Sequence, residues 1–378
     1  MTLSATVNPQ TSDAVRLVSA VGDLFGGRAL GFSMRVANVA ARFTAYCKSE
    51  PEAIAAAYYA AALHRIGAVR IVVPRDASAR VAEILGWDDP PAGAAIVAAA
   101  GTFPGLTADA VRWHREAFDG TGFPDQLRWK GIPETAMTVN VARAFIIARE
   151  EQGGTGAPQE TLFLLSADSG SVFALGTVRR FYAFIAEHAA DYEAPYEPDY
   201  RFPHVDPRAL ILSVCREIDA RQLHTAGRGD RIERIVRAIV ERLDDARIDS
   251  AEAAFAGRLT ALARTGDDGS TSDVFTLTRL GLAARGARAA MSARILRCAP
   301  AYAALAPVVG GIEEWYDGSG LPDGLAGGAI DPVARVLAVA IAAEALTAGE
   351  ASQRIRAAAG TRLDPDVVSA YLQCGAPT

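Results

Sequence analysis

A chain of 378 residues, half of them apolar and 22% charged, is long enough for two domains and can bury a core in each. A net charge of −6 and a pI near 5.5 exclude a general nucleic-acid or anionic-membrane binder. No uncharged apolar run of 18 residues occurs, so no membrane span is expected, and the start MTLSATVNPQTSDAV lacks the basic and apolar parts of a signal peptide.

Apolar residues recur three and four apart along almost the whole chain, which predicts an all-α protein. In SEPEAIAAAYYAAALHRIGAV, Ser49 and Glu52 have the spacing of a capping box at a helix start. VRIVVP, 69–74, is expected to be a helix end plus loop. TADAVRWHREAF reads as a further helix, and EEQGGTGAP, 150–158, as a flexible loop. DYEAPYEPDYRFPHVDP, 191–207, carries four prolines, which remove backbone donors and disfavour helix before them, so an extended linker is expected there. Its tyrosines should pack on a neighbouring domain. GDRIERIVRAIVERLDDA and DPVARVLAVAIAAEALTA follow as helices, the first with a solvated, mixed-charge face. The cysteines Cys47, Cys215, Cys298 and Cys374 stand far apart without metal-binding spacing, which fits a reduced, cytoplasmic protein.

The chain also repeats itself. DGTGFPDQL at 119–127 returns as DGSGLPDGL at 317–325, MRVANVAARF at 34–43 as DRIERIVRAI at 230–239, and ALHRIG at 62–67 as ALARTG at 261–266. SADSGSVFALGTVRRFYAF also pairs with RAAAGTRLDPDVVSAYLQC. Segments matching in one order at nearly one offset predict two related helical domains, residues 10–190 and 208–378, joined by the linker 191–207.

These segments together resemble the HD-GYP family, all-helical metal-dependent phosphohydrolases that cleave cyclic di-GMP. The D-G-x-G-x-P element, followed by PDGLAGGAIDPVARVLAVAIAAEAL, is the most specific part of the likeness. The family's ligand positions are E-x-x-x-H, H-D, a later H-P, H-H and a late aspartate. In the first domain Arg28 and Phe32 stand at E-x-x-x-H, His64 and Arg65 at H-D, with Ala68 at the lysine that follows. Asp89 takes the H-P position, His114 and Arg115 the H-H pair, and Arg143 the late aspartate. The second domain has His224, Arg228, Ala263, Arg264, Arg288, Ile312, Glu313 and Ile341 there.

Hard divalent ions at a hydrolytic site need carboxylates and imidazoles. His64, Asp89 and His114 are the residues that could still hold a single ion, and four positions have become arginine. The resemblance therefore implies a degenerate protein with no metal cofactor and no hydrolase activity; the alternative is a phosphodiesterase keeping one metal in the first domain. Two divalent ions carry four positive charges, as do Arg28, Arg65, Arg115 and Arg143. Such a cluster needs neutralising, by water and by Glu116, Asp119 and Asp89, or by a phosphate-bearing ligand that fits guanidinium forks.

For the turns Asp119, Gly120, Gly122, Pro124 and Asp317, Gly318, Gly320, Pro322, a structural role competes with a contact surface. The expected partners are a protein or a phosphate-bearing small molecule, a cyclic dinucleotide among the candidates, with no membrane, no nucleic acid, and homo-oligomerisation open.

Overall fold

The structure is a computed structural model that describes residues 9–71, 88–154, 157–200, 206–221, 225–264, 275 and 278–374. It divides into two compact units, Met1–Ser213 and Val214–Thr378. Among the described residues the only extended pairing is three isolated bridges, and everything regular is helical.

Unit 1 contains α1 (Pro9–Phe25), α2 (Phe32–Tyr46), α3 (Pro51–Leu63), α4 (Asp89–Ala100), α5 (Leu106–Trp113), α6 (Glu134–Glu151), α7 (Pro158–Ala167) and α8 (Leu175–Glu187). Helix α3 is apolar all round and buried from Ala55 to Leu63, as a central helix must be. Its start differs from the expected capping box. Glu50 is the extended residue before the helix, Pro51 opens it, and no side chain caps it, because proline at the first position fixes φ one residue later than a Ser49 cap requires. An aromatic cluster closes the far side, with Phe43 and Phe145 edge-on to Phe181 at 5.0 and 5.4 Å between centroids.

Residues 191–200 fold onto unit 1. Arg35 bonds Glu193 at 2.7 Å, Arg42 donates to the Ala194 carbonyl, and Tyr192 and Tyr196 stack near Phe145 and Tyr58. The division at 213/214 thus leaves the expected linker with the first unit. Residues 201–205 lie outside the described residues, as do 72–74 of VRIVVP and 155–156 of the glycine-rich loop; Val69 and Arg70 form the end of a 3₁₀ turn.

Within the stretch from 207 onward come α9 (Pro207–Ala220), α10 (Arg228–Leu243), α11 (Ser250–Leu259), α12 (Arg279–Arg297), α13 (Ala306–Gly310), α14 (Pro332–Glu344), α15 (Ala348–Ala357) and α16 (Pro365–Gln373). Ile232, Val236, Ile239 and Val240 of α10 pack into a core with Val336, Leu337 and Val339 of α14 and Val367, Val368 and Tyr371 of α16. The polar face of α10 is laced by ion pairs such as Arg237–Glu233 at 2.9 Å. No helix among the described residues is long and apolar enough to cross a membrane, and none of the four cysteines is in a disulfide.

Local details recur between the units. Asp23 accepts from the amides of Gly31 and Ser33 to open α2, and Asp219 accepts from Gly229 to open α10. Each D-G-x-G-x-P turn leans on the turn before the last helix of its unit. Asp119 N–H donates to Ser171 O, and Asp317 N–H to Thr361 O.

Candidate functional site

The unit 1 site begins at two helix ends of the same design. Helices α3 and α5 each stop at a histidine followed by an arginine, His64–Arg65 and His114–Arg115. Each histidine folds its ring back one turn, with Nδ1 at 2.6 Å from Ala61 O and 2.7 Å from Val111 O. A carbonyl accepts, so Nδ1 carries the hydrogen and Nε2 presents a lone pair. The rings meet edge to face at 5.1 Å, fully buried, and neither Nε2 has a hydrogen-bond partner among the described residues. Burial, and then the neighbouring arginines and, for His114, the other imidazole, hold both well below the usual histidine range, so both rings are neutral at physiological pH.

Around these rings the structure gathers Arg28, Arg65, Arg115, Arg143 and Asp89. Arg65 is 8% exposed and its guanidinium bonds the Gly26 carbonyl. A Cβ on Gly26 would meet that guanidinium, so the bare glycine leaves room for Arg65 in this position. Arg115 lies 3.7 Å from Asp89 and over the Phe123 ring at 5.5 Å. Arg143, on α6, reaches Asn140 Oδ1 at 3.5 Å, and its Nε has no partner among the described residues. Arg28, placed by the Asp23 turn, lies over Phe32 at 5.0 Å and pairs with Glu150 at 3.6 Å.

The charges feel one another. Burial first, then Arg115, Arg65 and Arg28, push Arg143 down to about 9. Burial also lowers Arg65 and Arg115, in each case offset in part by Asp89. Asp89, at the first position of α4 and 3% exposed, is raised by burial against the pull of three arginines.

Two of the carboxylates expected to neutralise the cluster do not. Glu116 accepts the backbone N–H groups of Asp125 at 2.6 Å and Leu127 at 3.0 Å, and Asp119 accepts Thr121 N–H at 2.9 Å. Both are held by the turn that follows them. Glu314 does the same for Asp323 and Leu325 in unit 2, and Asp317 for Ser319. This glutamate clamp was not expected from the sequence; its one signal is a Glu three residues before Asp119 and Asp317. Gly120 and Gly318 both sit at φ +83, and a Cβ on Gly122 or Gly320 would run into the backbone at Ala117 or Trp315. The peptide bonds before Pro124 and Pro322 are both cis. These internal bonds are common to the two turns.

In unit 2 the equivalent region is closed by pairing. Arg285 bonds Glu313 at 2.6 Å, with Arg362 at 3.8 Å from the same side chain, and Arg228 and Arg231 share Glu344 at 3.2 and 2.7 Å. Ile312 and Ile341 are buried and, with Trp315, line a small, partly open recess. Ala263 lies against the core of this unit, and Arg264 is close enough to Asp219 and Arg228 to influence both. The Arg288 carbonyl accepts from the Ser292 hydroxyl. His224 lies outside the described residues.

The resemblance implies two divalent ions at the unit 1 site. Two imidazoles and one carboxylate are the donors present, and among the described residues no three His, Cys, Asp or Glu side chains are grouped to hold an ion. Fixed guanidinium charge occupies the same region. These residues do not fit a binuclear centre.

A comparison with curated proteins found no match. A solved structure described as a cyclic GMP-AMP specific phosphodiesterase of V. cholerae (V-cGAP3) matches 96% of this chain and 97% of its own, with a TM-score of 0.67 and 17% identity. That likeness shows a shared all-α fold over nearly the full length. The HD-domain family matches residues 213–367, so the second unit is similar to an HD domain.

Proposed function

We propose that the protein is a non-catalytic regulatory or sensor protein built from two degenerate HD-GYP-like domains, in which the unit 1 site binds a phosphate-bearing small molecule. The observation that carries this reading is the gathering of Arg65, Arg115 and Arg143 around one buried carboxylate, with Arg28 close enough to influence all three. Guanidiniums in a poorly hydrated site need anions, and their planar forks match phosphate oxygens. A cyclic dinucleotide is one candidate, in keeping with what the V. cholerae structure is described as hydrolysing.

The test is calorimetry with phosphate compounds, cyclic di-GMP and cyclic GMP-AMP included. Binding should weaken as salt screens the charges. Arg65→Ala or Arg115→Ala should each cost roughly 1.5–3 kcal/mol, the usual worth of a hydrogen bond to a charged group. Binding indifferent to both variants would refute the site.

A second reading draws on three buried atoms without hydrogen-bond partners among the described residues, His64 Nε2, His114 Nε2 and Asp89 Oδ1. It is a phosphodiesterase that keeps one metal ion in unit 1. Hydrolysis of a cyclic dinucleotide that stops on His114→Ala would favour it.

A further inference from the structure

We infer that the unit 1 site selects a phosphate monoester group, which can carry two negative charges or take up a proton to donate, over a phosphodiester, which can do neither; this rests on the anion-binding reading above. Two independent features of the site point to that chemistry.

The first is the local charge. Arg115 has Asp89, and Arg28 has Glu150. Glu150 is shared with Arg35, which is also paired with Glu193, so those two cations meet two anions. Arg65 and Arg143 have no carboxylate at ion-pair distance among the described residues: Arg65 bonds a backbone carbonyl and Arg143 a side-chain amide. Each keeps a buried Nε–H without a partner. Two cations without a direct carboxylate partner, close enough to repel one another and only partly offset by Asp89, match a group carrying about −1.5 to −2 at neutral pH, which is a monoester. A diester phosphate carries a single negative charge and would leave one guanidinium unneutralised.

The second is the hydrogen-bond polarity. Arginines only donate, so an arginine-lined site would ordinarily suit a group that only accepts. Here the two Nε2 atoms are acceptors, fully buried and without donors among the described residues. The ligand that completes such a site must accept from guanidiniums and donate to an imidazole. A monoester can do both. Its oxygens accept from the guanidiniums, and because its second pKa is about 6 it can take up the proton that lets a P–OH donate to an imidazole, at the cost of one charge. A diester has no proton to give.

Calorimetry on the full chain at fixed ionic strength and neutral pH tests the inference with inorganic phosphate, a nucleoside 5′-monophosphate, dimethyl phosphate and cyclic di-GMP. Inorganic phosphate and the monophosphate should bind at least tenfold more tightly than either diester. Arg143→Met, which removes a cation that the unliganded fold strains to hold, should weaken monoester binding at least tenfold while the protein stays folded. Diesters binding as tightly as monoesters would overturn the inference and leave the anion site standing. Monoester binding unchanged in Arg143→Met would overturn the placement. Failure of every phosphate compound to bind would remove the anion site and the inference together.

Discussion

In unit 2, Arg285 and Arg362 converge on Glu313, and Arg228 and Arg231 on Glu344, each carboxylate more than nine-tenths buried. In unit 1, Arg65, Arg115 and Arg143 surround Asp89, and the nearby Glu116 is already committed to the turn. The turns of the two units share their backbone bonds and each unit opens a helix on an aspartate, so scaffold does not separate them. Charge balance does. A site whose cations are already paired has no electrostatic need of a ligand, and one whose cations are not paired does.

The largest expected effect comes from breaking the pairing in unit 2. Glu313→Gln strands Arg285 and Arg362 and should cost about 3–5 kcal/mol in chemical denaturation, as removal of one partner from a buried pair does. A loss under about 1 kcal/mol would mean that the two cations reach water, and the contrast between units would fade.

The opposite sign is expected in unit 1. Arg143→Met in phosphate-free buffer should raise stability by about 1–3 kcal/mol, because it replaces a cation repelled by three others with an apolar chain of similar length. Destabilisation would show that Arg143 is held by compensation and not strained.

The shared turns should respond alike. Gly120→Val and Gly318→Val each force a β-branched residue to φ near +83, at about 1–3 kcal/mol. That corresponds to a fall of a few degrees in melting temperature at about 2–4 °C per kcal/mol. Unchanged melting with lost ligand binding in Gly120→Val alone would make the unit 1 turn a recognition loop.

The smallest effect is on acid stability. His64 and His114 have folded values well below 6.5, so below pH 6.5 the unfolded chain takes up protons that the folded chain cannot. Stability should fall with pH from 6.5 downward by up to about 1.4 kcal/mol per unit for each ring. Asp23, raised to about 6, and Asp89, also raised, act in the other direction below pH 6, leaving a net loss on the order of 1–2 kcal/mol near pH 5.5. His64→Gln, His114→Gln should flatten the acid side of the profile; an unchanged profile would mean that the rings are protonated in the fold.

The helical class was legible because an apolar period near 3.6 runs through nearly every segment, and the internal repeat was legible because turn residues recur at a fixed offset. The adjacency of His64 to Arg65 and of His114 to Arg115 is sequence itself, but their facing helix ends are tertiary. The start of α3 was misread because a capping pattern at Ser49 and Glu52 competed with Pro51. What could not be read was the use of carboxylates. Glu116 bonds amides nine and eleven residues away, and Arg28 meets Glu150 from 122 positions off, and no local pattern announces either. Whether an arginine is neutralised is settled by such long-range choices, so the charge imbalance of unit 1 emerges only from the fold.

Metal content separates an anion site from a metal centre most directly. Protein purified without chelator should carry well under one equivalent of iron, manganese or zinc, because the guanidiniums repel a cation from the two imidazoles and Asp89. Stoichiometric metal whose occupancy falls on His64→Ala or His114→Ala would contradict that and make unit 1 a metal site.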